Sequence, residues 1–81
     1  MQFQRDVKLA RKRDKNMAKL HELIMLLSEG ASPPQRCKDH PLRGNWQHYR
    51  DCHIEADWLL IYKIVGDDVY LVRTGSRSDL F

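Results

Sequence analysis

The spacing of apolar residues in the first part of the chain predicts an amphipathic helix. Phe3, Val7 and Ala10 recur at four- and three-residue intervals, and polar or charged side chains fill most positions between them. This period is typical of a helix with one apolar face. We expect it to run from Phe3 to about Lys12.

A longer apolar stripe follows a polar connection at residues 13–16. It consists of Met17, Leu20, Leu23, Ile24 and Leu27. The stripe predicts a second helix that Asp14 or Asn16 caps and that Gly30 ends. We expect the two helices to form an antiparallel hairpin whose apolar side is covered by another layer.

The pattern changes to that of strands after a proline-containing loop at residues 31–45. We predict strands at Trp46–Ile54, Trp58–Val65 and Val69–Arg73, with a hairpin turn at residues 66–68. The second strand is apolar on both faces until Lys63, which indicates a central strand covered on both sides. The predicted fold class is α+β, a helical hairpin packed on an antiparallel sheet.

Composition narrows the class of protein. With 81 residues, 42% hydrophobic and 31% charged, the sequence predicts a single globular domain over residues 1–81. It contains no apolar run of the roughly 18–20 residues that span a bilayer, and its start lacks an apolar signal core. Its two cysteines, Cys37 and Cys52, are expected to be reduced thiols, which places the protein in the cytoplasm.

The basic residues are concentrated near the start. The net charge is +3, which by itself favours an anionic partner only weakly. The candidate side chains for binding a phosphate-bearing partner in this region are Lys8, Arg11, Lys12, Arg13 and Lys15. They form either a solvated helix face or a surface that contacts phosphates.

The later part of the chain offers acid–base residues. A metal site built from Cys37, His40, Cys52 and His53 is disfavoured, because adjacent strand residues point to opposite faces. His53 next to Asp57 across a short turn can move a proton near neutral pH, and Arg73 can hold a phosphate. Ordinary structural roles for these residues remain open from composition and spacing alone.

Several motifs together resemble a known family. The segments KDHPLRGNWQHYRDCHIEADWLLIYKI and LVRTGSRSDLF, together with FQRDVKLARKR near the start, are similar to the YafQ group of toxins within the RelE/ParE superfamily. The similarity covers nearly the whole chain. The resemblance implies a RelE-like microbial ribonuclease fold and cleavage of mRNA in the A site of the 70S ribosome, without a metal or other cofactor. It also implies a cognate antitoxin of the DinJ/RelB type, and binding to operator DNA only as the toxin–antitoxin complex.

The resemblance also assigns site residues. By position in the motifs, the catalytic set falls on His40, His53, Asp57, Arg73, the residue at position 77, and Phe81. His40, His53 and Asp57 are expected to transfer protons, and Arg73 to hold the scissile phosphate. Trp58 and Phe81 are expected to stack on a base or close the site, while a packed core position for Trp58 is an equal alternative.

Two positions depart from the family pattern. Arg77 stands where the family usually has an acid–base histidine, and arginine stays protonated at neutral pH. The family also opens with a strand before its first helix, which here is missing or shortened, so that we expect an exposed sheet edge that can pair with another chain. The alternatives to a ribonuclease are a non-catalytic toxin-fold module that binds its antitoxin, a ParE-like gyrase inhibitor and a general RNA-binding domain.

Overall fold

The computed structural model of the chain describes residues 2–81. The helices in this range are α1 (Gln2–Lys12), α2 (Met17–Ser28) and α3 (Arg77–Leu80), and the strands are β1 (His40–Pro41), β2 (Arg50–Glu55), β3 (Trp58–Val65) and β4 (Asp68–Gly75). The strands form one antiparallel sheet in the order β1-β2-β3-β4. The predicted α+β class is confirmed.

Residues at the two ends of α2 determine where this helix begins and ends. The Asn16 side chain accepts a hydrogen bond from the Ala18 backbone N–H at 3.1 Å and caps α2. Gly30 follows the helix with φ of +76°, a conformation that glycine adopts without steric cost. Both end points agree with the sequence prediction.

Helices α1 and α2 cover one face of the sheet and form the larger core with it. Its buried members are Ala10, Leu20, Leu23, Leu27, Cys37, Cys52, Ile54, Trp58, Leu60 and Tyr62. Both cysteines are free thiols in this core. Because Cys52 lies in it while His53 pairs with Leu59 on the other face, the cysteine–histidine metal site is not formed.

The opposite face of the sheet carries a second, smaller core. Leu59, Ile61 and Leu80 are buried there, and Leu42, Trp46, Tyr49 and Val72 pack around them. Strand β3 thus contributes Leu59 and Ile61 to this core and alternate residues to the larger one. Its apolar character on both faces follows from that central position, as the sequence predicted.

The first predicted strand begins later than expected. Residues Gly44–Trp46 form a short 3-10 helix, and His48 has φ of +78°, which interrupts an extended chain. The prediction of a strand from Trp46 is therefore wrong, and β2 begins at Arg50. The turn at residues 47–48 brings Tyr49 back to Leu42, whose N–H donates to the Tyr49 carbonyl at 2.9 Å.

Helix α1 is the first element within residues 2–81, and β4 is the last strand of the sheet, pairing only with β3 in this range. Pairing of this edge with another chain stays a prediction. Among the same residues, no helix has the length and apolar character needed to cross a membrane.

Candidate active site

Strands β1 and β2 bring two histidines and one aspartate together. His40 pairs with Asp51 in the register of these strands, and the rings of His40 and His53 lie 6.1 Å apart between centroids. His40 Nε2 is 3.6 Å from Asp51 Oδ2. The two histidines that the sequence selected therefore converge, with a carboxylate beside them.

A backbone contact fixes the protonation of His40. Its Nδ1 atom lies 2.7 Å from the Lys38 carbonyl oxygen, which can only accept, so Nδ1 must carry a proton. In the neutral ring the free lone pair is then on Nε2, the nitrogen that faces Asp51. This arrangement presents one defined nitrogen for proton transfer or metal binding.

Asp51 is the site residue that the sequence reasoning missed. Its side chain is only 2% exposed, and its Oδ1 atom has no hydrogen-bond partner among the described residues. Burial raises the pKa of the Asp51 carboxyl above its ordinary value, while the nearby His53, His40 and Arg77 act in the opposite direction. The signal was present, since Asp51 and His53 are two residues apart and therefore share a strand face.

Asp57 makes a different contact from the one predicted. It does not pair with His53; its Oδ1 atom accepts a hydrogen bond from the Arg77 backbone N–H at 3.3 Å. The predicted His53–Asp57 pair is thus wrong, and Asp51 is the carboxylate beside the histidines. Asp57 instead ties the start of α3 to the turn between β2 and β3.

A capping box stabilises the start of helix α3. The Ser76 hydroxyl accepts from the Asp79 N–H at 3.2 Å, and an Asp79 carboxylate oxygen accepts from the Ser76 N–H at 3.1 Å. Arg77 is the first residue of this helix, and its positive charge acts to lower the pKa of the Asp51 carboxyl. The resemblance places a histidine at this position.

Arg73 is occupied by a partner within the chain. Its Nε atom donates to Asp6 Oδ2 at 2.7 Å and one terminal nitrogen donates to Asp6 Oδ1 at 3.2 Å. Asp6 also accepts from the Thr74 N–H at 3.2 Å. Although burial opposes ionisation of Asp6, its bonds to Arg73 and other donors leave its pKa below the ordinary value. The guanidinium expected to hold a phosphate instead joins α1 to β4.

The aromatic candidates separate into one exposed and one buried side chain. Phe81 is 52% exposed, and its ring meets Trp46 edge to face at 5.9 Å. Trp58 is 1% exposed and packs in the larger core, so the structural alternative holds for Trp58 and it presents no face to RNA. Trp46, which the sequence reasoning did not select, joins Phe81 at the smaller core.

The basic residues of α1 remain largely available. Lys8, Arg11 and Lys12 are exposed and form no ion pair within residues 2–81. Arg13 is bound to Asp79 at 2.8 Å. Lys15 lines a cavity of about 470 Å³ together with Arg73, Asp57 and other residues between α1 and the end of β4. The candidate binding residues are therefore exposed except for the half-buried Lys15, and within residues 2–81 Arg13 alone among them is held in an ion pair.

Comparisons with known proteins agree with this geometry. A family model described as "Bacterial toxin of type II toxin-antitoxin system, YafQ" matches residues 1–81. The chain is 49% identical over 81 residues to the mRNA interferase toxin YafQ of Escherichia coli K12, covering 99% of this chain and 88% of that protein.

Two solved structures extend the comparison. The Escherichia coli DinJ–YafQ toxin–antitoxin complex contains a chain that is 48% identical, with a TM-score of 0.90 and coverage of 99% of this chain and 89% of that chain. A metal-bound toxin from Helicobacter pylori is 34% identical, with a TM-score of 0.90 and coverage of 99% and 91%. The chain belongs to the YafQ family of bacterial toxins of type II toxin–antitoxin systems.

Proposed function

We propose that this toxin is an endoribonuclease that cleaves mRNA on the ribosome. Its Escherichia coli relative is named an mRNA interferase toxin. The observation that carries the proposal is the convergence of His40, Asp51 and His53. Two imidazoles whose centroids are 6.1 Å apart can serve the entering and the leaving oxygen of one phosphate.

The proposed reaction uses the nucleophile that RNA itself contains. His40 Nε2, whose lone pair is free because Nδ1 donates to Lys38, takes the proton from the ribose 2′-hydroxyl. The 2′-oxygen attacks the neighbouring phosphorus, and His53 gives a proton to the departing 5′-oxygen. Asp51, whose Oδ2 atom is 3.6 Å from His40 Nε2, stabilises the protonated form of His40.

Arg77 supplies charge to this reaction but no proton transfer. Its guanidinium would stabilise the negative charge that grows on the phosphate, whereas a guanidinium stays protonated near neutral pH and exchanges no proton there. Position 77 therefore adds no third group for proton transfer, and His40 and His53 must perform both transfers. We expect this to limit the rate of mRNA cleavage. Arg73 contributes through the Asp6 pair, by holding β4 in place.

Basic and aromatic side chains outside the cluster suit a large RNA partner. Lys8, Arg11, Lys12 and Lys15 supply positive charge for phosphates of mRNA or ribosomal RNA. Phe81, half exposed against Trp46, provides a face on which an unstacked base can lie. We assign these residues to binding, together with Arg13 once its pair with Asp79 opens.

The domain, the cellular location and the binding partners of this toxin are proposed from its family. We propose that residues 1–81 form a single toxin domain that acts in the cytoplasm and binds an antitoxin of the DinJ type, since a relative forms that complex. Binding to the 70S ribosome and, as the toxin–antitoxin complex, to operator DNA are part of the same proposal. No cofactor is required by the reaction described.

Toeprinting on translating mRNA tests the proposal. The chain is expected to cut A-site codons, and His53→Ala is expected to lower the rate by about 10²–10⁴-fold. His21→Ala is the matched control, because His21 is exposed on α2 outside the cluster. If cleavage is absent, or equal in the His53 and His21 variants, the proposed endoribonuclease activity is refuted.

The presence of Arg77 specifically favours one second candidate, a toxin-fold module that binds antitoxin but does not cleave. It predicts tight antitoxin binding without growth arrest when the chain is expressed. Growth arrest that is lost with His53→Ala excludes this candidate. Arrest that survives that change and coincides with loss of DNA supercoiling would identify a gyrase inhibitor.

A further inference from the structure

One face of the sheet carries a row of aromatic side chains outside the histidine cluster. The Phe81 ring meets Trp46 with 5.9 Å between centroids, and Trp46 meets Tyr49 edge to face at 5.6 Å. The ammonium of Lys63 then lies 5.3 Å from the centroid of the Tyr49 ring and 5.6 Å from that of Tyr70. We call Tyr49, Lys63 and Tyr70 the tyrosine–lysine group.

The register of the strands places the tyrosine–lysine group beside the histidine cluster. Asp51 of β2 pairs with Ile61 of β3, and Lys63 follows Ile61 by two residues, so that it lies on the same face of the sheet. Lys63 pairs in turn with Tyr70 of β4. Because two residues of a strand span about 7 Å, the group forms the next row of side chains after Asp51 on that face.

We propose that the tyrosine–lysine group binds the segment of single-stranded RNA that adjoins the cleaved phosphodiester. This inference rests on the proposed function, because the RNA is the substrate of that reaction. An unstacked base lies on the open Tyr70 ring, and the Lys63 ammonium contacts a neighbouring phosphate. Proteins that bind single strands combine these two features, aromatic rings for the bases and positive charge along the backbone.

The two rings differ in burial in a way that suits stacking. Tyr49 is half-buried and packs on the smaller core, whereas Tyr70 is 48% exposed. The Lys63 ammonium lies within cation–π distance of both rings. The group is therefore held in place from the core side before RNA binds, and such preorganisation lowers the cost of ordering side chains on binding.

The charge of Lys63 is available to a partner. Lys63 takes part in none of the ion pairs formed among residues 2–81. An ammonium carries three N–H donors, so contact with ring faces leaves donors for a phosphate oxygen. A free cation next to an open ring matches a nucleotide, which presents an anionic phosphate and a flat base together.

Binding of a short single-stranded RNA tests the group. The RNA carries 2′-O-methyl groups in place of its 2′-hydroxyls, so that it cannot be cleaved, and fluorescence anisotropy gives its Kd with the full chain. Tyr70→Ala is expected to raise this Kd about 10-fold or more, because one base loses its stacking surface. Tyr70→Phe keeps the ring and is expected to recover most of the affinity.

Lys63→Gln is expected to weaken RNA binding through the loss of charge. Losing one phosphate contact on a single strand should make the dependence of log affinity on log salt concentration less steep by about 0.7. Tyr70→Ala is expected to leave this salt dependence nearly unchanged, so that the two variants separate stacking from charge. If Lys63→Gln has the salt dependence of the original chain, Lys63 does not contact a phosphate.

Ile64→Ala is the matched control. Ile64 is 54% exposed and directly follows Lys63 in β3, so that its side chain lies on the opposite face of the sheet. We expect the RNA affinity of this variant to equal that of the original chain. Equal affinity in the Ile64→Ala and Tyr70→Ala variants would overturn the proposal.

A further variant guards against loss of folding. The Tm of each variant is measured first, and if Tyr70→Ala lowers it, Tyr70→Leu replaces that variant because it keeps apolar area on β4 but has no ring. Tyr70→Leu is expected to bind RNA as weakly as Tyr70→Ala. RNA affinity in Tyr70→Leu equal to that in Tyr70→Phe would show that stacking is not the interaction.

Cleavage of mRNA on translating ribosomes separates this inference from the proposed function. Tyr70→Ala is expected to raise KM more than it lowers kcat, because the ring acts on binding and not on proton transfer. RNA affinity that depends on Tyr70, without cleavage by any form of the chain, would support the RNA surface and refute the endoribonuclease. Cleavage with the same KM and RNA affinity in both proteins would refute the surface alone.

The same variants exclude a protein partner at this face. If Tyr70→Ala weakens binding of the antitoxin and leaves RNA affinity unchanged, the tyrosine–lysine group belongs to a protein interface and the proposal is overturned.

Discussion

His40 and Asp51 face each other across β1 and β2, with 3.6 Å between Nε2 and Oδ2. The first side chain is 48% exposed and the second 2%, so the pair spans the boundary between solvent and core. Because β1 contains only His40 and Pro41, the position of the first imidazole depends on a two-residue pairing with β2 and on the contact of its Nδ1 with the Lys38 carbonyl. The candidate site thus depends on the register of a very short strand.

Arg77→His is expected to increase mRNA cleavage by about 100-fold or more, because it adds a group that exchanges protons near neutral pH beside the histidine pair. The measurement is the rate of A-site cleavage by primer extension. Arg77→Lys is the matched control, since it keeps the positive charge without titrating in that range. A histidine variant no faster than the lysine variant would contradict this role for position 77.

Asp6→Asn is expected to lower the free energy of unfolding by about 2–3 kcal/mol. The change removes a charged acceptor that is 8% exposed and serves Arg73 and Thr74. Urea unfolding measures this change in the free energy of unfolding. Glu55→Gln is the control, because the Lys19–Glu55 pair is exposed by 48% and 35% and such pairs contribute less than about 1 kcal/mol. Similar losses in both variants would mean that the Asp6 pair has no special structural role.

Ser76→Ala is expected to loosen the C-terminal helix. The Ser76 hydroxyl caps α3, and loss of such a cap costs about 1 kcal/mol. Amide hydrogen exchange should become faster at Leu80 and Phe81, whose N–H groups donate to carbonyls at the start of this helix. In Ser32→Ala, which removes an exposed hydroxyl in the loop after α2, we expect exchange close to that of the original chain. Unchanged exchange in the Ser76 variant would contradict the capping role.

Stability at acid pH is expected to depend on Asp79. The hydrogen bond from Arg13, together with those from Ser76, lowers the pKa of the Asp79 carboxyl from its ordinary 3.8 to about 2. A carboxyl with a depressed folded-state pKa stabilises the fold above its unfolded-state value, and this contribution is lost as pH falls from about 4 towards 2.

Urea midpoints measured between pH 2 and 5 test this expectation. The difference between the original chain and Asp79→Asn should shrink steadily as the pH falls through that range. Asp67→Asn, in the turn between β3 and β4, is the control and is expected to follow the original chain. A difference between the original chain and Asp79→Asn that stays constant with pH would contradict the depressed pKa.

The fold was largely predictable because its elements have local signatures. The apolar period fixed α1 and α2, Asn16 and Gly30 marked the ends of α2, and a run that is apolar on both faces identified β3. The start of β2 was not predictable from the pattern, since the 3-10 helix at Gly44–Trp46 and the positive φ of His48 leave no clear signal in apolar spacing.

The residue types of the candidate site were determined by the sequence, but their partners were decided by the tertiary structure. His40 and His53 could be selected from motifs, whereas their carboxylate proved to be Asp51 and not Asp57. Arg73 and Asp6 are 67 residues apart in sequence, and no local pattern can pair them. Strand register and the packing of α1 on β4 bring such residues together, and these depend on the whole core rather than on neighbouring positions.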